Sequence, residues 1–182
     1  MTRFIIFVDG ANLYGSLKNL NLHVDDYESF FFYILKQAIE SWKVCIVSGI
    51  DTARLVRILW YRVGSIDNWA LDDPRVENTI REWVNNDLDA KRKYLALAGA
   101  RRSGAKQEDI AKEAWSICFN DIRTWYFQKK NQVEKGQDFH FGVKSSTDFI
   151  EIIPCGHLKV DIINKGLTEK GIDTSLAVDM LS

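Results

Sequence analysis

The chain has 182 residues, 46% of them apolar, with 24 Lys and Arg set against 25 Asp and Glu for a formal charge of −1. That length fits one domain whose core stands without staples, and the near-neutral balance excludes a uniformly basic nucleic-acid binder while leaving room for a local basic face. Cys45, Cys118 and Cys155 are widely spaced and form no CxxC, so neither a disulfide framework nor a zinc ribbon is indicated and a reducing, cytoplasmic setting is expected.

Residues 4–8, Phe-Ile-Ile-Phe-Val, are continuously apolar, which is how a strand buried on both faces reads. The run is too short for a signal peptide or a membrane span, so no membrane partner is expected. It stops at Asp9-Gly10, and residues 11–20 read as a helix, so the chain opens like a βαβ unit. Asp25 or Asp26 is positioned to cap a second helix that runs to about residue 42. Residues 44–50 fit a helix and a strand equally well, and residues 55–63 read as a strand ending at Gly64-Ser65. Asp73-Pro74 is an N-cap followed by proline at the first helical position. It starts a helical region reaching to about residue 100. After a loop at 99–104, a further helix is expected over 107–132. Residues 136–147 carry turn residues without a clear period. Residues 149–153 read as a strand that is interrupted at Pro154-Cys155-Gly156 and can continue over 158–160, and residues 172–181 as a last helix. The chain is thus expected to be one α/β domain over 1–182, with a parallel sheet flanked by helices and a helical insert at about 73–136.

Two segments hold residues suited to chemistry. Asp9 stands at the carboxyl end of the first strand, where open α/β sheets bind ligands. Gly10 permits a tight turn, and Asn12 can direct its amide to the same place. The alternative reading of Asp9 is a helix cap. In the last helix, Ile172, Leu176, Ala177, Met180 and Leu181 form an apolar stripe with Asp173 beside it. A packed carboxylate there needs a partner, either a metal or the helix N-terminus. Asp179 follows six residues on, roughly 240° around the helix, and so ranks below Asp173 as a ligand. Hard cations such as Mg2+ take one or two carboxylates plus waters and phosphate. No P-loop, GxGxxG or DxDxT is present, and His23, His140 and His157 are scattered, which leaves no sign of a nucleotide cofactor or a catalytic triad.

The motifs IIFVDGANLYGSL, LVRILWYRVGSID and EKGIDTSLAVDML, in this order, resemble the NYN-domain family. They look like its LabA-like members within the wider PIN-like nuclease group. The resemblance implies a Rossmann-like (PIN-like) parallel sheet, an acidic cluster binding Mg2+ or Mn2+, and endoribonuclease activity on RNA, with single strands the expected substrate. Through it, Asp9, Asp173 and Asp179 are expected as metal ligands and catalytic carboxylates, with Asn12 as the accompanying polar residue. Such domains continue into another strand ending in an SGDSDF-like turn, which has no counterpart here. The chain is therefore expected to be truncated at its carboxyl end and to lack the last strand and acidic motif of the family fold. The alternative expectation is a non-catalytic RNA- or protein-binding regulatory module.

Residues 81–135 hold 12 Lys and Arg against 8 Asp and Glu, leaving 12 and 17 in the rest of the chain. Lys91-Arg92-Lys93, Arg101, Arg102 and Lys129-Lys130 are candidates for phosphate contact, as is Lys170 beside the last motif. Trp125, Tyr126 and Phe127 read either as a stacking surface for bases or as part of a helix core stripe. An unfinished sheet edge also makes a homodimer an expectation.

Overall fold

The computed structural model describes residues 2–45, 53–99 and 107–181. The first apolar run forms β1 (Thr2–Asp9), which leads without a loop into α1 (Gly10–Asn19). Next come α2 (Tyr27–Cys45) and β2 (Ala53–Ile66). Residues 44 and 45 of the ambiguous stretch thus complete α2, and residues 46–50 lie outside the described residues. A helical stretch follows, made of α3 (Pro74–Asn86), α4 (Leu88–Gly99) and α5 (Gln107–Ser146). The chain closes with β3 (Ile150–Asp161), β4 (Gly166–Lys170) and α6 (Ile172–Leu181).

The described strands form one sheet in the order β1-β2-β3-β4. β1 and β2 pair in parallel, with Asp9 opposite Tyr61. β3 advances in the same direction as β2: Ile58 N bonds Phe149 O at 2.8 Å, and Asp67 N bonds Leu158 O at 2.9 Å. β4 returns after a tight turn at 162–165. Asp161 makes that turn by accepting bonds from the backbone N–H groups of Ile163 and Asn164, and Lys165 adopts φ 54°. The sheet is therefore mixed, not wholly parallel as expected, because four turn residues can join only antiparallel neighbours.

Other boundaries also differ from the sequence reading. The region expected as one helix from 73 to 100 is split at Asp87, whose carboxylate accepts from the N–H groups of Asp89 and Ala90 and so caps α4. α5 continues past residue 132 to Ser146. Gly136 and Gly142 lie within it, and a side chain at either would meet open space, so these glycines perform no turn. β3 runs through Pro154-Cys155-Gly156. Gly64 of β2 makes room there, since a Cβ on it would come within 2.9 Å of Pro154 O.

The chain divides into two compact units, one of Met1–Ser65, Glu134–His157 and Glu169–Ser182, the other of Ile66–Val133 and Leu158–Thr168. Val8, Phe31, Leu35, Ile58, Trp60 and Val143 are among the core residues of the first. In the second, Leu71, Ile80, Val84, Trp115, Phe119 and Tyr126 are packed together. Tyr126 is wholly buried, and its hydroxyl accepts from Trp69 N and donates to Asp67 O, both at 3.0 Å. Trp125 and Phe127 pack against the same cluster. Tyr126 is therefore core, as the helix-stripe reading has it, and Trp125 and Phe127 are partly buried against it; burial of such rings is among the largest apolar contributions a domain has. No described helix is long and apolar enough to cross a membrane.

Candidate functional site

In a strand, successive side chains point to opposite faces of the sheet. In β1, Phe4, Ile6 and Val8 join the core with α2 and the end of α5. Phe7 faces the other way and stacks on Tyr61 at 6.4 Å. Asp9, two residues further along β1, shares that second face. α6 packs against β1, which brings its acidic residues to the same side.

Asp9 is half-buried and caps α1. Its Oδ1 accepts from Asn12 N at 3.0 Å and its Oδ2 from Asn12 Nδ2 at 2.7 Å. The cap and the Asn12 readings are thus both realised, and Asn12 fixes the orientation of the carboxylate. Each oxygen retains a lone pair for a further partner. Gly10 allows this geometry, because a Cβ there would fall 2.4 Å from Trp60 Nε1 and 2.7 Å from Tyr61 O.

Gly171, at φ 100°, ends the approach from β4, and its carbonyl accepts from Ser175 N to open α6. Asp173 therefore lies inside the first turn and is not the cap. It is exposed, which corrects the expectation of a packed position; burial does not force a partner on it. The apolar stripe is anchored by Ile172, which is buried and sits over Gly156. Met180 and Leu181 are open to solvent at 60% and 90%.

Glu169, near the end of β4, was not singled out by the sequence reading. Its carboxyl is pushed above the usual carboxylate range, first by partial burial and then by the negative charges of Asp9 and Asp173, against a backbone bond from Ile172. The charges of Asp9 and Asp173 thus reach Glu169 at the end of β1. The available sequence signal was the Glu-Lys-Gly just before Asp173, an acid next to a glycine hinge leading into a helix.

Asp179 is engaged elsewhere: its Oδ2 accepts from Tyr61 Oη at 2.6 Å. Burial first, then this carboxylate, pushes the Tyr61 hydroxyl well above its usual range. Lys170 is exposed at the end of β4. Arg101 and Arg102 lie outside the described residues. Lys91, Arg92 and Lys93 are exposed on α4, whereas Lys130 bonds Asn68 Oδ1 at 3.3 Å. Among the described residues, no three His, Cys, Asp or Glu side chains converge closely enough to enclose a metal ion. Comparison of the chain with protein-family models, curated proteins and solved structures returns no match.

Proposed function

We propose that the chain is a divalent-metal-dependent endoribonuclease of the NYN type, hydrolysing phosphodiester bonds of single-stranded RNA. The observation that carries this reading is the nearness of Asp9 and Asp173 to Glu169, whose carboxyl their charges raise, at the carboxyl end of a parallel strand. Uncompensated like charges raise one another's proton affinity, and a cation relieves them. The donor set is all carboxylate oxygen, which suits Mg2+ or Mn2+ and not softer ions. Mg2+ keeps several waters and commonly uses only one or two protein carboxylates, so a closed cage is not required.

In this reading Asp9 and Asp173 hold the ion, Glu169 stands as a third carboxylate, and Asn12 fixes Asp9. A bound ion would lower the pKa of a water and offset charge on the phosphate. Asp179 acts through Tyr61 by holding α6 on the sheet. Lys170, exposed beside Glu169, is suited to a substrate phosphate. The test is cleavage of a labelled single-stranded RNA with Mn2+ by the parent, Asp9→Asn and Asp173→Asn proteins. Loss of cleavage in both variants is expected; activity equal to the parent in both would end the reading.

The absence of a closed acidic cluster among the described residues favours a second reading, a module that binds RNA or a protein without cutting. Fluorescence anisotropy on the same RNA separates the two: binding without cleavage at any Mn2+ concentration supports the module.

A further inference from the structure

The face of the sheet opposite Asp9 carries a separate feature. Arg62 follows Tyr61 in β2, so its side chain leaves the sheet on the side of α5. There Arg62, Gln137, His140 and Lys144, with Asp138, Phe141, Ile152 and Pro154, line a cleft of about 360 Å3. Guanidinium Nη1 donates to Val63 O at 2.8 Å, but the buried Nε has no acceptor. No carboxylate of the described residues pairs with Arg62. A half-buried charge without a partner is costly, and guanidinium groups favour planar or tetrahedral oxyanions.

Other polar side chains line the same cleft. Gln137 uses its amide on Gly64 O at 3.2 Å, which leaves its second N–H free. His140 turns Nδ1 to the carbonyl of Gly136, so that nitrogen donates, and Nε2 is an acceptor in the neutral ring and a donor to a phosphate once the ring is protonated. Lys144 is exposed and contributes a second cation from the helix side. Asp138 offsets one of the two cationic charges, so that Arg62 and Lys144 together still leave the cleft net cationic. Phe141, 75% exposed, offers an apolar platform among the lining residues. The volume is in the range of small-ligand pockets and exceeds what a bare oxyanion needs.

We propose that this cleft is a phosphate-binding site, taking a phosphate group between the Arg62 guanidinium and the Lys144 ammonium. The phosphate is either free or carried on the end of an RNA. The site stands apart from the carboxylates and does not depend on a metal.

Isothermal titration calorimetry of the full chain with inorganic phosphate, in chelator-treated buffer, tests it. Saturable 1:1 binding is expected, weakened several-fold by Lys144→Ala and abolished by Arg62→Gln. Lys144 is exposed, so its variant keeps the test decisive if Arg62→Gln does not fold. A 5′-phosphorylated oligoribonucleotide and its 5′-hydroxyl counterpart are then added as competitors. Displacement of phosphate by the first alone assigns the site to RNA ends; displacement by neither assigns it to the free anion. Absence of saturable binding, or binding of equal strength in the parent and Lys144→Ala, overturns the proposal.

Discussion

Tyr61 donates its hydroxyl to Asp179 Oδ2 at 2.6 Å, joining β2 to the last turn of α6 across 118 positions of sequence. The phenol is wholly buried, while the carboxylate is exposed. The bond is charge-assisted, but one end meets solvent, so Tyr61→Phe is expected to destabilise by about 1–2 kcal/mol in urea unfolding. Asp179→Asn keeps an acceptor and is expected to have a smaller effect. Asp179→Ala combined with Tyr61→Phe should fall well short of the sum of the two; full additivity would mean the bond is not formed. The sign of the alkaline effect follows from the raised Tyr61 hydroxyl. The unfolded chain releases this proton near pH 10 and the folded chain only above it. Stability is therefore fully present below pH 10 and falls as pH rises further, a limb that Tyr61→Phe should flatten.

The Glu169 carboxyl binds its proton more tightly in the folded chain than in the unfolded one, through partial burial and the charges of Asp9 and Asp173. At neutral pH the ionised group thus opposes folding. Glu169→Gln should raise the metal-free Tm slightly, on the order of 1–2 °C for so exposed a group. Mn2+ should stabilise the parent more than Glu169→Gln in differential scanning fluorimetry. An equal Mn2+ shift in both proteins would remove Glu169 from the metal reading.

Gly10 is the point where α1 leaves the sheet, with Trp60 Nε1 2.4 Å from where its Cβ would be. Trp60 is itself buried among Phe31 and Val8 and cannot withdraw without disturbing that cluster. Gly10→Ala is expected to cost about 1–3 kcal/mol by overpacking, and to reduce RNA cleavage by displacing Asp9. Chemical denaturation checks the first effect and the cleavage assay the second.

His140 is held below the usual histidine range by burial, then by the Arg62 charge, against a backbone acceptor at Gly136. Its folded value therefore lies below its unfolded value near 6.5. The unfolded chain takes up the proton first, so stability falls as pH drops from about 6.5 through the folded value. The expected signature is a fall in Tm between pH 7 and 5.5 that is smaller in His140→Gln. Bound phosphate should lift the His140 value and reduce the slope, as read by NMR titration of the ring protons.

The elements that present Asp9 and Asp173 were legible in the sequence. β1 announces itself by an unbroken apolar run, and Asp9-Gly10 marks the passage into α1. Asp173 was found from its place beside the apolar stripe, with Ala177 and Met180 as its helical neighbours, although its exposure was not. β4 escaped notice because Gly-Leu-Thr-Glu-Lys has one large apolar residue and no alternation, so its pairing comes from the turn at Asp161 and from β3. Glu169 was missed with it. The end of α5 was hidden by Gly136 and Gly142, each unfavourable in a helix by about 1 kcal/mol. Tertiary contacts outweigh that penalty: Val143 is buried, and His140 packs edge-on against Trp60 at 5.3 Å. Pro154 marked an interruption only because the accommodating Gly64 lies 90 positions away.

Consecutive residues of β2 serve two different chemistries: Tyr61 steadies the helix beside the acids, and Arg62 supplies the unpaired cation behind them. Inserting one amino acid between Trp60 and Tyr61 would reverse their directions, pointing the phenol into the cationic cleft and the guanidinium at Asp179. Both ends of the chemistry would fail together, though neither partner had been altered. The length of this strand is thus a stricter requirement than the identity of most of its side chains.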